Sequence, residues 1–306
     1  MWSSVRRIVL RSENGAMTNW IVFEAGSRAG LSALTFFRQY RKEYGSNDSL
    51  CLIDDDETFR ELYTDLYREG VSVLSKSELD KMWHLEGALY DNVVFPADEL
   101  TRQSGCPQCP SYWFNMVFKC YYDKRFVTKM LERAGVSVPA TLEAENVIVK
   151  PNSMSAGSKG IHTFDDYCVQ QRINVKHEYV VDMFVDEKKN IVQLFPREVK
   201  LRAGYDKYIR FLCLDHKVAK FAKSIVAADS IGIFRGPCHV QIIEDAYGRL
   251  YFVEGSKRIS GSSIVNILRG YNPFALLNNI VPEYKEVDEE WHLFDDLLVK
   301  VMEVLK

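Results

Sequence analysis

The sequence lacks an excess of charge of either sign. Its 306 residues carry 39 Lys and Arg against 42 Asp and Glu, which gives a formal net charge of −3. Nucleic acids and anionic membrane surfaces attract proteins that concentrate positive charge, and no such concentration is present. We therefore expect neither nucleic acid nor a membrane surface as a partner.

Long apolar segments are missing as well. No run approaches the roughly 18 residues that a membrane-spanning helix needs. The opening segment, MWSSVRRIVLRSENGAM, is basic, but the apolar core of about 7–15 residues that a secretory signal carries does not follow it. We expect a cytoplasmic protein. Whether residues 1–18 are a leader, an upstream start or an extra edge strand stays open.

Cysteine is present, but not in a pattern that indicates disulfides or a metal. The seven residues are an odd number scattered through apolar contexts, as at Cys51 and Cys213, which is typical of reduced thiols. Cys106 and Cys109 form a single CPQC motif without the second ligand pair of a zinc site or the βαβ context of a redox site. We interpret this pair as part of a plain loop.

What is present is the composition of an ordinary globular protein, 47% hydrophobic and 26% charged. The first third alternates strands and helices, with strands at NWIVFEAG, SLCLIDDD and DNVVFPADEL and a helix over about 31–44. This alternation predicts a parallel sheet with covered faces. Gly26 and Gly30 form only part of a dinucleotide fingerprint, so we interpret residues 19–114 as scaffold.

The remaining two thirds have an α+β pattern. RQSGCPQCPS resembles a linker, and Asp123 and Lys124 lead a helix that Gly135 closes. Helices are also predicted in HKVAKFAKSIVAADSI and DLLVKVMEVL. The predicted strands are NVIVK, EYVVDMFVDE, IVQLFPREVKL, PCHVQIIED and RLYFVEG, and AYGR joins the last two as a hairpin turn.

One predicted strand ends in a lysine and a loop of small residues, in VIVKPNSMSAGSKGI (147–161). A phosphate clamp would have this pattern, because an ammonium and the backbone N–H groups of a small-residue loop both bind phosphate. An ordinary hairpin turn explains the stretch equally well. Lys124 offers a second cation, and two lysines from separate segments, Lys124 and Lys150, can bracket a polyphosphate.

Carboxylates and an amide mark two later segments. Glu178 can accept hydrogen bonds from ribose hydroxyls, although a solvated strand face explains it as well. Gln241 and Glu254 lie on neighbouring predicted strands and suit Mg²⁺, which prefers hard oxygen ligands. Arg258, four residues after Glu254, can reach a γ-phosphate and the charge that develops when it is transferred.

In their order along the chain, these features resemble the ATP-grasp enzymes, and within them the group similar to the large subunit of carbamoyl-phosphate synthase. The resemblance extends over nearly the whole chain from about residue 19. The segments that carry it are DKRFVTKMLERAGVSVPAT, VIVKPNSMSAGSKGI, QQRINVKHEYVVDMFVD, PREVKLRAG and GPCHVQIIEDAYGRLYFVEGSKRISGSS. It implies an N-terminal parallel-sheet α/β domain at 19–114, a lid at 115–172 and an antiparallel-sheet body with a metal-binding hairpin at 173–306. It also favours the phosphate clamp.

The resemblance assigns a role to individual residues. It implies that Arg202 and Arg258 act in catalysis and that Gln241, Glu254 and Ser256 bind Mg²⁺. The residues implied to hold ATP are Lys124, Lys150, Ser155, Ala156, Gly157, Ser158, Gln171, Arg172, Ile173, Glu178 and Arg202.

Two departures from the family pattern concern the metal and the loop. The family's metal-binding asparagine is Ser256 here, and the proline that follows it is Lys257. Ala156 and Lys159 stand in the loop where glycines are common. We therefore expect one Mg²⁺ ion, with the second in doubt.

The activity that the resemblance implies is an ADP-forming ligase. Such an enzyme phosphorylates a carboxylate with ATP, and an amine or another nucleophile then attacks the acyl phosphate. Carbamoyl-phosphate synthesis itself is not expected, because that subunit carries two such units in tandem and this chain has room for one. A small-molecule kinase of the same fold and a degenerate ATP-binding module without turnover stay open as alternatives. No motif identifies the carboxylate, the nucleophile or the oligomeric state, for which a homodimer is one expectation.

Overall fold

The computed structural model describes residues 19–23, 28–57, 60, 69–75, 77–78, 92–94, 124–140, 147–151, 167–202 and 205–305. By their contacts the residues divide into two compact units. The first unit comprises 1–115, 258–283 and 305–306, and the second comprises 116–257 and 284–304. The segment 258–283, which the sequence reading grouped with the body, therefore makes its contacts in the first unit.

The helices and strands follow the predicted order, with several additions. In chain order they are β1 (Asn19–Phe23), α1 (Arg28–Tyr44), β2 (Ser49–Ile53), β3 (Val71–Leu74), β4 (Asn92–Val94), α2 (Lys124–Arg133), β5 (Val147–Pro151), β6 (Tyr167–Gln171), β7 (Val175–Val185), β8 (Ile191–Arg202), β9 (Tyr205–Phe211), α3 (Lys217–Ala228), β10 (Gly236–Asp245), β11 (Leu250–Ser256), a 3-10 helix (Ser263–Arg269), α4 (Pro273–Leu277), β12 (Trp291–Leu293) and α5 (Phe294–Leu305).

The first unit contains the predicted parallel sheet. Its described strands lie in the order β3-β2-β1-β4, and all neighbouring pairs are parallel. Trp20 on β1 is buried, its indole N–H donates to Asp48 at 3.1 Å, and its ring lies edge-on to Phe274 of α4 with centroids 5.0 Å apart. The apolar strand segments are therefore buried, as a sheet with covered faces requires.

The second unit contains two antiparallel sheets. The larger sheet has the strand order β11-β10-β7-β8-β9-β12, and the smaller one pairs β5 with β6. Helix α3 packs on the larger sheet through an apolar stripe that includes Val218, Ala222, Ile225 and Val226. The predicted antiparallel body is confirmed, whereas the short strands β6, β9 and β12 have no counterpart in the sequence prediction.

Strand alternation gives the larger sheet two faces. We call the face that carries Gln241 and Glu254 the front face, and the face on which α3 packs the back face. Tyr179 belongs to the back face, where its hydroxyl donates to Glu244 at 2.6 Å. Lys217, in the first turn of α3, also pairs with Glu244, which fixes the start of this helix on the back face.

A β-bulge turns Glu254 toward the front face. Ile242 pairs with Phe252 and Gln241 pairs with Glu254, so Val253 is an extra residue on β11. Regular alternation from Phe252 would leave Glu254 on the same face as Phe252, which is the back face. The bulge therefore decides which face carries the carboxylate.

Gly255 is consistent with this arrangement. A Cβ atom at Gly255 would lie 2.7 Å from the ring of Phe234 and 3.3 Å from that of Phe252, both of which are buried on the back side. Because Gly255 faces these rings, its neighbour Glu254 faces the other way.

The described residues bear on the expected thiols and on the expected lack of a membrane-spanning helix. Cys51, Cys213 and Cys238 carry free thiols, while the Cys106–Cys109 pair lies outside the described residues. Within the part of the chain that the structure describes, no helix combines the length and the apolar character that a membrane crossing requires.

Candidate functional site

Gln241 and Glu254 face each other across β10 and β11. They are register partners, and the side chains of such antiparallel partners start about 4.5–5.5 Å apart. Gln241 is exposed and Glu254 is half-buried, so an amide oxygen and a carboxylate lie next to each other on an accessible part of the sheet. This donor set fits Mg²⁺, which often binds one or two protein carboxylates and completes its shell with water and phosphate oxygens.

The described residues provide this ion with few acidic ligands. Among them, no group of three His, Cys, Asp or Glu side chains comes together in a way that could hold a metal. Of the two paired candidate ligands, Glu254 supplies a carboxylate and Gln241 supplies an amide oxygen.

Glu178 lies on the same face, one strand away. Its strand β7 pairs with β10, and Val180, two residues after Glu178, is the register partner of Gln241. Burial raises the pKa of Glu178, and the neighbouring carboxylate of Asp206 raises it further. Hydroxyl donors or a cation nearby would stabilise the ionised form of this carboxylate.

Asp206 is a second carboxylate near Glu178 that the sequence analysis did not select. The register of β8 and β9 shifts by one residue here, because Lys200 pairs with Tyr208 and Leu201 pairs with Asp206. Lys207 is therefore the extra residue of a bulge, and its ammonium lies 5.3 Å from the ring centroid of Tyr208. Strand β9 was not predicted from the sequence, so neither residue had a predicted face.

A buried polar row adjoins the predicted metal ligands. Asp182, His239 and Ser256 are aligned across β7, β10 and β11, and none of them is more than 3% exposed. Arg197, which is fully buried, forms an ion pair with Asp182. The role of Ser256 as a metal ligand stays a prediction, and its hydroxyl lies in the buried part of this face.

Lys257 lies on the back side of the hairpin. Its pKa is lowered to about 8 because its ammonium group is desolvated and because Arg235 lies nearby, whereas the acidic groups of Cys238 and Asp229 act in the opposite direction. Cys238 alternates with the front-face residue His239, so these neighbours belong to the back side. Lys257 therefore does not point toward Glu254.

Three of the residues implied to hold ATP lie in a link between the two sheets. Gln171 ends β6 and its backbone N–H donates to Ala140 O at 2.7 Å. Arg172 and Ile173 follow before β7 begins at Val175. A short connection thus joins β6 to β7.

For three further predicted residues, the structure gives the position in a helix or strand. Lys124 begins α2, Lys150 lies on β5 opposite Cys168, and Arg202 ends β8 opposite Tyr205. Arg258 is half-buried and belongs by its contacts to the first unit. The loop residues Ser155, Ala156, Gly157 and Ser158 lie outside the described residues.

By sequence, no protein-family model and no curated protein matches the chain. Solved structures do resemble it. N5-carboxyaminoimidazole ribonucleotide synthetase, in a complex with ADP, superposes with a TM-score of 0.64 at 14% identity over 92% of this chain and 81% of that one. Biotin carboxylase from Campylobacter jejuni, in its beta-gamma-ATP complex, has a TM-score of 0.63 at 15% identity over 90% of this chain and 73% of that one.

A third similar structure is an ATP-grasp superfamily protein from Archaeoglobus fulgidus. Its TM-score is 0.61 at 16% identity, over 88% of this chain and 90% of that one. These superpositions extend over 88–92% of this chain at only 14–16% identity, so the likeness is one of fold. The fold of this chain is the ATP-grasp fold.

Proposed function

We propose that this chain is an ATP-dependent ligase that activates a carboxylate as an acyl phosphate, releases ADP and lets an amine or another nucleophile displace the phosphate. The observation that carries the proposal is the pairing of Gln241 with Glu254 on the face that also carries Glu178. The fold supports it, as do the names of similar structures, a synthetase with ADP and a carboxylase with ATP.

The chemistry explains why such an enzyme needs positioned cations. A carboxylate is a poor electrophile, and phosphorylation replaces a bad leaving group with a good one. In phosphoryl transfer the protein contributes mainly by orienting the reactants and by stabilising the charge on the phosphate oxygens. Gln241 and Glu254 would hold Mg²⁺, which when bound would neutralise part of that charge.

The other predicted residues divide between binding and charge stabilisation. We assign Lys124 and Lys150 to the ATP phosphates, and Arg202 and Arg258 to the charge that develops during transfer.

The direct test is ADP release measured against a panel of amino acids and other carboxylates, with and without hydroxylamine. Formation of an acyl hydroxamate together with ADP supports the ligase, because hydroxylamine traps an acyl phosphate. A stable phosphorylated product without hydroxamate would identify a small-molecule kinase instead. The substrates in either case are small molecules, and we propose a cytoplasmic protein whose oligomeric state, with a homodimer as one option, is measured in the same preparation.

A second candidate is an ATP-binding module without turnover. The burial of Ser256 and the single carboxylate of the Gln241–Glu254 pair favour it, because both reduce the number of ligands available to a second ion. Tight ATP binding with no ADP release against the whole panel would establish this alternative and contradict the ligase.

A further inference from the structure

A pocket of about 560 Å³ lies at the end of the larger sheet, beside strands β7, β8, β9 and β12. Its side chains come mainly from the back face, opposite Gln241 and Glu254. The back-face side chains that border it are His177, Glu198, Lys200, Arg210 and Trp291. A volume of this size is typical of pockets for small molecules.

The pocket has an excess of positive charge. Lys176, Lys200 and Arg210 border it, against the two carboxylates of Glu178 and Glu198. Glu198 is only 2% exposed and its two oxygens are taken by His177 and Arg210, so the remaining cations, Lys176 and Lys200, are left against one carboxylate, that of Glu178. An anionic ligand would complete the charge balance.

Glu198 is shared between two partners. Its Oε1 lies 2.5 Å from Nδ1 of His177, and its other oxygen forms an ion pair with Arg210. Both carboxylate oxygens are thus engaged, while Nε of Arg210 is buried and has no hydrogen-bond partner among the described residues. The Arg210 side chain as a whole is 35% exposed, so the outer part of its guanidinium is accessible to an acceptor that a ligand brings.

Trp291 holds the two cations at the pocket wall. Nζ of Lys200 lies 4.0 Å from the ring centroid, and Cζ of Arg210 lies 5.5 Å from the same ring. Cation–π contacts of this kind fix the position of flexible cationic side chains before a ligand arrives. The indole is 37% exposed, so part of it is available to an apolar group.

We propose that this pocket is a second ligand site that binds a small organic acid, with the carboxylate between Lys200 and Arg210 and the apolar part against the exposed edge of Trp291. Glu178, a residue implied to hold ATP, also borders this pocket, but the three side chains that would hold the acid belong to the back face of the sheet and are not among the residues assigned to ATP. The proposal therefore holds whether or not the chain turns over ATP.

The experiment is a calorimetric titration of the full chain, without nucleotide, with three probes. Benzoate carries both a carboxylate and a flat apolar ring, benzamide carries the ring without the charge, and inorganic phosphate carries charge without the ring. We expect benzoate to bind and benzamide to bind at least about tenfold more weakly, since a charge-assisted hydrogen bond contributes that much or more.

Single substitutions test whether benzoate binds in this pocket. Lys200→Gln and Trp291→Leu should each weaken benzoate binding by about tenfold, with unchanged melting temperatures showing that the fold is kept. Lys223→Gln, on the exposed side of α3, is the matched control and should bind benzoate like the wild type. A benzoate affinity that neither pocket variant changes would overturn the proposal, and so would a lack of benzoate binding up to about 10 mM. Phosphate binding as tight as that of benzoate and independent of Trp291 would show a bare anion site and would overturn the assignment to organic acids.

Discussion

At the residue scale, the front face combines accessible ligands with a buried ion pair. Asp182 and Arg197 are 1% and 0% exposed and lie next to the row that carries Gln241 and Glu254. A buried pair of this kind adds little net stability, but losing one partner leaves an uncompensated charge in a place that water cannot reach. The pair therefore constrains which substitutions the sheet tolerates.

We predict that Arg197→Met destabilises the protein by about 3–5 kcal/mol, because Asp182 then stays buried without its counter-charge. Adding Asp182→Asn should recover part of this loss, since the amide carries no charge. Urea unfolding of the single and double variants measures both effects. An Arg197→Met variant as stable as the wild type would contradict this account of the pair.

The lowered pKa of Lys257 predicts a specific pH dependence. The folded pKa of about 8 lies below the ordinary lysine value, so between pH 8 and about 10.4 the unfolded chain binds more protons than the folded chain. The free energy of unfolding of the wild type should therefore rise with pH in this window relative to Lys257→Met, by about 3 kcal/mol in total. Denaturant titrations at pH 7 and pH 10 check this.

The control for Lys257 is Lys223→Met, at an exposed position on α3. Its stability should follow that of the wild type across the same pH range. If Lys257→Met behaves in the same way as this control, Lys257 is not desolvated in the folded protein.

The proposed phosphate lysines give a third prediction at this scale. Lys124→Ala and Lys150→Ala should each abolish measurable ATP turnover and remove most of the thermal stabilisation by ATP, because each charge-assisted contact is worth roughly 1.5–3 kcal/mol. Lys129→Ala, at an exposed position on the same helix as Lys124, should leave both quantities unchanged. An ATP-induced shift that persists in both lysine variants would rule out the phosphate clamp.

At the scale of elements, the β10–β11 hairpin determines the site. The bulge at Val253 moves Glu254 to the front face, and the turn that follows Asp245 is held by its carboxylate, which accepts from the backbone N–H groups of Tyr247 and Arg249. The turn and the bulge together set the register, and the register brings the amide and the carboxylate together.

We predict that Gly255→Ala destabilises the hairpin by about 1–3 kcal/mol, because the new methyl group would lie 2.7 Å from the buried ring of Phe234. In a Phe234→Leu background the same substitution should cost less, since the smaller side chain leaves room. Thermal unfolding of the four variants gives the coupling between the two positions. Additive effects would show that the close contact does not exist.

At the scale of the whole molecule, nucleotide binding should be measurable as a rise in the melting temperature. A ligand that binds only the folded chain raises its melting temperature in a concentration-dependent way. We predict that ATP with Mg²⁺ stabilises the wild type and that Glu254→Gln reduces the part of this effect that depends on Mg²⁺, because the amide removes the only carboxylate of the pair. Glu187→Gln, in the exposed turn after β7, is the matched control. Equal Mg²⁺ dependence in all three proteins would contradict the metal assignment.

The sequence by itself predicted the long elements of the fold. Segments such as NWIVFEAG and PCHVQIIED are apolar enough to identify buried strands, and Gly135, with its positive φ of 80°, marks the end of α2. Strands β3 and β12 have only four and three residues, too few for a clear periodicity, and each pairs with a longer neighbour, β2 and β9, that supplies its hydrogen bonds.

The tertiary structure decided which residues share a face. The sequence singled out Glu178, Gln241 and Glu254, but a one-residue difference in register turns a side chain to the opposite face of a sheet. The extra residue Val253 therefore determines where Glu254 points, and nothing in the local pattern of LYFVEGS announces it. In the same way, the pairing of Ser256 with His239 decides that Ser256 lies on the front face, and alternation then puts Lys257 on the back side.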